Sequence, residues 1–411
     1  METLMEQLLH YTWKHRLFPL EELKTTDGEP VEVIDVGLHN YDQGPDFFNA
    51  KVKISGELWA GNVEIHDRAS DWYLHGHDKD ELYNNVVLHI VGINDREVQM
   101  QSGRYVKQME LQVPEKIQKN FKELIETERY PPCYRIIPNL TKLMIHSWLT
   151  KLQTERLEQK TLAILERVKR SCGSWEAACF ITMARNYGFG VNGDAFEEWA
   201  SIIPLDKVAH HRDDLFQIEA IFLGQAGLIE RIKDEEKRLK LEREYQYMQH
   251  KFSLQPMNPK MWKYLRMRPA NFPHVRVLQL AKAYHEHRTE LSKLVECETV
   301  KDVHKLLNTS DKHLSASSLD ILVINTVVPM LFAYGKQMGK EQLQDKAFNF
   351  LDELKTENNT ITRTWKECGL SVTTAGDSQA LIQLKKEYCD KKKCLYCRIG
   401  YEYLKSPENG I

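Results

Sequence analysis

Several absences narrow the reading of this 411-residue chain. The opening METLMEQLLHYTWKHRLF carries Glu2 and Glu6 early and no apolar core ending in small residues, so no signal peptide is read. Long hydrophobic runs are lacking too. The longest weakly charged stretch, Leu314 to Gly335, contains Asp320, Asn325 and Pro329, which suits a buried helix better than a membrane span. A large charge of one sign is also missing: 56 Lys and Arg face 59 Asp and Glu, for a formal net charge of -3. The chain is not a polycation, and any nucleic-acid contact needs a local basic patch. Its eight cysteines are unevenly spaced, unlike a secreted disulfide framework, so a cytoplasmic, reducing location without membrane association is expected. No internal repeat or low-complexity tract is present.

What remains is ordinary globular material, 42% hydrophobic and 28% charged, long enough for two or three domains. Residues 1–18 show helical spacing, with Leu4, Met5, Leu8 and Tyr11 toward one side. The pattern then shifts to period two over Glu29–Gly37, with Val31, Val33 and Asp35 on one face, and over Phe47–Ile54 and Leu58–His66, with Ser55-Gly56-Glu57 as a hairpin turn. Asn85–Val91 reads as a buried strand, and Val98–Met100 with Val106–Val113 as a further hairpin. The expected fold is an α+β domain over 1–115, a linker over 116–138 marked by Pro131-Pro132 and Pro138, a helical region over 139–388 and a Cys-rich tail over 389–411. In the helical region Ile145, Trp148, Leu149 and Leu152, then Thr161, Ile164, Leu165 and Val168, repeat an i, i+3, i+4, i+7 spacing. The mixed-charge run ERIKDEEKRLKLEREYQYMQHKF reads as a solvated helix face.

Chemistry concentrates between Gly44 and His89, which gathers Asp46, Glu64, Asp71, His66, His75, His77 and His89. Glu64 and His66, two apart on a strand, point to the same face. If the hairpin pairs through residues 55–57, Asp46 lies near the same end. Two carboxylates so placed suit Mg²⁺ or Mn²⁺, and an imidazole beside them could orient or deprotonate a water. His75 and His77 flank Gly76; as ligands with His66 they would form a zinc-like site, and otherwise they are solvated loop residues. His89, in an apolar strand, reads as a core histidine.

Pro45-Asp46 followed one strand later by Glu64-Ile65-His66 resembles the PD-(D/E)xK nuclease signature. That resemblance implies a mixed sheet with flanking helices, Asp46 and Glu64 as ligands to Mg²⁺ or Mn²⁺, and Glu6 on the leading helix as a further acid. It also implies that the residue two beyond the Glu assists the water; here it is His66, where the superfamily has Lys. From end to end, GPDF, GNVEIH, SDWYLHGH, VVLHIV, RMRPANFP and YCDKKKCLYC resemble an uncharacterised bacterial family of about this length.

Three signals lie outside the strands. Gly188-Phe-Gly-Val-Asn-Gly193 matches GxGxxG but follows a helical pattern, so it reads as a helix-to-helix turn. The segment from Trp262 to Arg276 interleaves aromatics with Arg266, Arg268 and Arg276, a candidate phosphate or single-strand contact. Cys389, Cys394 and Cys397 have metal-ligand spacing, with Cys133 or Cys368 as the fourth thiol of a zinc or iron–sulfur site. Two functions follow as expectations. One is a metal-dependent nucleic-acid phosphodiesterase using Asp46, Glu64 and His66. The other is a catalytically inactive, nuclease-like binding or scaffold protein with a structural Cys site.

Overall fold

In the computed structural model, residues 3–18, 23–308 and 314–407 are described, and they form two compact units. The first unit takes residues 1–140 and 387–411, the second 141–386.

The first unit opens with helix α1, Leu4–Lys14; Met1 and Glu2, part of the expected helix, lie outside the described residues. Thr3 caps it through the Glu6 N–H while the Glu6 carboxylate returns to the Thr3 N–H, a reciprocal box that satisfies two otherwise orphaned donors. A mixed sheet follows, built from β1 (Val31–Asp35), β2 (Leu38–His39), β3 (Phe47–Ile54), β4 (Glu57–Arg68), β5 (Val86–Ile93) and β6 (Gln108–Glu110). Its order is β1-β3-β4-β5-β6, with β2 pairing β3. The β3–β4 hairpin turns through Ser55 and Gly56, both with positive φ, the two-residue geometry whose twist matches its strands.

From β4 to β5 the pairing becomes parallel. A parallel neighbour cannot be reached by a tight turn, so the chain must travel back to the start of β4 before β5 can begin. The returning segment carries the short helix α2 (Asp71–Leu74) and two 3₁₀ turns, His77–Lys79 and Glu81–Asn85. It buries Trp72 and Tyr83 in a small core with Val86, Val91, Val98 and Met100. Trp72 is fully enclosed, and its indole N–H donates to the Gln99 carbonyl at 2.9 Å.

The stretch expected as a linker from 116 instead carries helix α3, Glu115–Glu126. Part of the expected tail forms the helix Arg398–Lys405 in the same unit, and its residues 408–411 lie outside the described residues. Asn120 of α3 explains the association. Its amide donates to the carbonyls of Tyr403, Leu404 and Ser406 at 3.0–3.2 Å, satisfying acceptors at the C-terminal end of that helix.

The second unit is helical. Helix α4, Lys142–Arg170, buries Trp148, Leu149, Leu152, Thr161 and Ile164 as the spacing predicts, with Met144 buried rather than Ile145. Helices α5 (Trp175–Tyr187) and α6 (Gly193–Ser201) flank the GxGxxG segment, which is a turn between helices. The mixed-charge run forms the helix Glu235–Phe252, with Lys240–Glu236 and Arg238–Glu242 ion pairs along it. Residues Ala316–Gln337 are long and apolar enough to cross a membrane, yet are two-thirds buried, as a core helix is.

Candidate metal centre

Glu64 and His66 sit side by side on one face of β4, near the end where β3 begins. Asp46 stands just before β3, and two bonds lock it to β4. Its N–H donates to Glu64 Oε2 at 3.0 Å, and its Oδ2 accepts the Ile65 N–H at 2.8 Å. The convergence of Asp46 and Glu64 expected from the hairpin is therefore a pair of cross-strand hydrogen bonds.

The parallel crossover brings two more imidazoles to this point. His66 Nε2 lies 3.1 Å from His75 Nδ1 and 3.6 Å from Glu64 Oε1, and His77 Nε2 lies 3.2 Å from the same carboxylate oxygen. One ring nitrogen each of His66, His75 and His77 falls within 4.8 Å of the others. Donors about 2.0–2.1 Å from a tetrahedral zinc stand about 3.3–3.4 Å apart, and the His66–His75, His77–Glu64 and His66–Glu64 separations of 3.1, 3.2 and 3.6 Å lie near that value. His66 is 1% and Glu64 4% exposed, whereas His75 is exposed, so the group opens to solvent on one side.

Around these donors are groups that hold them. His66 Nδ1 is 2.8 Å from Nε2 of the fully buried His89. An ion on His66 Nε2 requires the proton on Nδ1, donated to His89, the usual way an outer imidazole fixes a ligand's tautomer. His77 stacks on Tyr83 with ring centres 3.8 Å apart. His10, one turn beyond Glu6 on α1, places Nε2 3.3 Å from Asp46 Oδ2.

Burial dominates the electrostatics of these groups. Burial, then the charge of Asp46, raises the Glu64 carboxyl well above the usual range, against the pull of the Asp46 N–H. Burial and neighbouring imidazoles push His66 far down, His77 to about 4 and His89 to about 3. His66, His77 and His89 are thus neutral at physiological pH, the form in which a ring nitrogen keeps its lone pair.

Measured against expectation, the site shifts toward its histidines. His75 and His77 are integral, and His89 is buried as expected but touches a donor. Asp46 directs Oδ2 to Ile65 and His10, and Glu6, inside the α1 capping box, is felt electrostatically by Glu64. His10 and Tyr83 were missed. The i, i+4 spacing of Glu6 and His10 is the one sequence signal that pairs them.

The cysteines divide between units. Cys133, Cys389, Cys394 and Cys397 belong to the first unit and Cys368 to the second. Burial and the nearby Cys397, Cys389 and Cys394 raise the Cys133 thiol, so Cys133 lies within electrostatic reach of all three C-terminal thiols. Arg266, Arg268 and Arg276 lie together in the second unit, around one cavity.

A family described as "Protein of unknown function (DUF2851)" matches residues 6–312 and 308–360. The chain belongs to this family. The matched residues include those of the candidate metal centre and the three arginines. No curated protein and no solved structure matches the chain.

Proposed function

We propose that this protein is a metal-dependent hydrolase that cleaves phosphodiester bonds in nucleic acid. The observation that carries the reading is the gathering of one ring nitrogen each of His66, His75 and His77 within 4.8 Å on one solvent-open spot, with Glu64 Oε1 3.6 Å from His66 and 3.2 Å from His77. Three imidazoles and a carboxylate suit Zn²⁺ or Mn²⁺ better than Mg²⁺, which prefers all-oxygen sites. Bound there, the ion would supply Lewis acidity and an acidified water.

The chain's own groups take the remaining roles. Glu64 would hold the ion as a carboxylate, its charge offsetting the ion's. His89 holds His66 in the tautomer that leaves Nε2 free. Asp46 orients His10, and this pair, joined to Glu64 through the Asp46 N–H, is the proton carrier for the leaving oxygen in this reading. The substrate class rests on the PD-(D/E)xK resemblance, supported by the order helix, strand, Asp46 strand, Glu64 strand, crossover, strand. His66 then serves as a ligand where that superfamily places Lys.

The thiols form a separate structural site in this reading. Cys133, Cys389, Cys394 and Cys397 share one unit and feel one another's charge, which suits a tetrathiolate zinc or an iron–sulfur cluster.

The test is incubation of the purified protein with labelled single- and double-stranded DNA and RNA, with Zn²⁺, Mn²⁺ or Mg²⁺, beside Glu64→Gln and Asp46→Ala. Cleavage that needs the ion and falls at least tenfold in both variants is expected. Absence of cleavage, or cleavage indifferent to both substitutions, sinks the reading and favours the inactive scaffold.

A further inference from the structure

The helical unit holds a buried cation without a counterion. Arg276, on the helix Pro273–His285, is 6% exposed. Its two terminal nitrogens donate to neutral oxygens, Nη1 to Gln279 Oε1 at 2.8 Å and Nη2 to Asn271 Oδ1 at 2.6 Å. Its Nε is buried without a partner, and its guanidinium lies over the Phe189 ring at 4.6 Å. Among the described residues no carboxylate pairs with it. A buried charge so placed is expensive unless something negative completes it.

Arg276 lines a cavity of about 360 Å³ that also takes Arg266 and Arg268, and none of its lining residues is acidic. Both added arginines are exposed, and no side-chain hydrogen bond or ion pair holds either among the described residues. Arg266 has φ +61°, a backbone conformation that costs energy outside glycine and gathers at ligand clamps. The loop that carries it is anchored. Asn192 accepts the Lys263 N–H at 2.8 Å and donates to the Lys263 carbonyl at 2.9 Å, fastening the loop to the turn between α5 and α6.

We infer that this cavity binds the phosphate group of a small phosphate ester, Arg276 meeting it from the buried side and Arg266 and Arg268 from the rim. Guanidinium groups match phosphate oxygens bidentately, which explains arginines rather than lysines. The volume sits at the lower end of small-ligand sites and fits a compact ester better than a tracked strand. The inference stands apart from the metal centre, since all its residues belong to the second unit.

Thermal melting and calorimetry on the full chain test it, with inorganic phosphate, adenosine 5′-monophosphate and adenosine as probes, and chloride at equal ionic strength as control. Wild type should be stabilised by phosphate and by the nucleotide but not by adenosine or chloride. Affinity should fall at least tenfold in Arg266→Gln/Arg268→Gln, whose exposed side chains leave folding intact. Arg276→Met should abolish the response. If that variant does not fold, the rim variant decides alone. No phosphate response beyond chloride in wild type, or an equal response in the rim variant, overturns the inference. So does binding of an oligonucleotide lacking terminal phosphate that depends on Arg266 and Arg268 while phosphate has no effect. That result would make these arginines strand contacts.

Discussion

Asp46 and Glu64 are bound reciprocally across two strands: the Asp46 N–H donates to Glu64 Oε2, and the N–H after Glu64 donates to Asp46 Oδ2. The Asp46 carboxylate cannot rotate away without releasing the N–H of Ile65, a fully enclosed residue. Asp46→Ala should therefore destabilise the protein by about 1–3 kcal/mol, the cost of an unsatisfied buried N–H. Asp46→Asn keeps an acceptor and should cost less, yet both should impair cleavage, because Ala removes the oxygen that faces His10 and Asn removes its charge. Urea melts beside cleavage assays separate the two effects.

Gly61 sets how closely the strand beside the site approaches its neighbour. A Cβ there would meet the Val87 side chain and lie 2.6 Å from the Asn85 carbonyl oxygen, a backbone atom that cannot swing aside. Gly61→Ala should push β4 from the start of β5 and cost about 1–3 kcal/mol, the usual range for overpacking. Metal affinity should fall with it, because the β4–β5 pairing sets where the crossover returns. Denaturation and calorimetric metal titration of this one variant check both halves.

The hairpin half of the site was legible because its signals are local. Period-two alternation, the Ser55-Gly56 turn and a count of residues on either side bring Asp46 to Glu64 and His66. The other half was not. His75 and His77 reach His66 because β5 pairs parallel to β4, and no local pattern in VVLHIV announces its neighbour or direction. His10 arrives through the docking of α1, and Cys133 nears the C-terminal thiols through contacts separated by more than 250 residues of chain. In each case a tertiary choice decided what spacing left open.

Acid should weaken the first unit through two histidines away from the ligands. His15, tilted against Tyr11 and Tyr401, and His39, stacked on Phe47, are lowered from 6.5 to about 4, chiefly by burial and then by Lys14. Both stay neutral when folded, while the unfolded chain takes up protons below about pH 6.5. Their contribution is complete above about 6.5 and is lost as pH falls toward 4. Urea midpoints at pH 7.5, 6 and 5 should fall in that order, and His15→Gln/His39→Gln should flatten the fall.

The thiols predict a spectroscopic result. Protein purified without air should carry one tetrathiolate site, colourless if zinc and brown with broad visible absorption if iron–sulfur. Cys133→Ser should lower its occupancy and the melting temperature, whereas Cys368→Ser should change neither. Metal analysis showing no difference between wild type and Cys133→Ser removes this site.

Metal stoichiometry of wild type against His75→Ala/His77→Ala, measured by plasma mass spectrometry after equilibration with Zn²⁺ or Mn²⁺ and desalting, tests the central claim most directly. Wild type should retain one more equivalent than the double variant, and Cys133→Ser should leave that difference intact. Equal metal content in wild type and the double variant would contradict the metal centre.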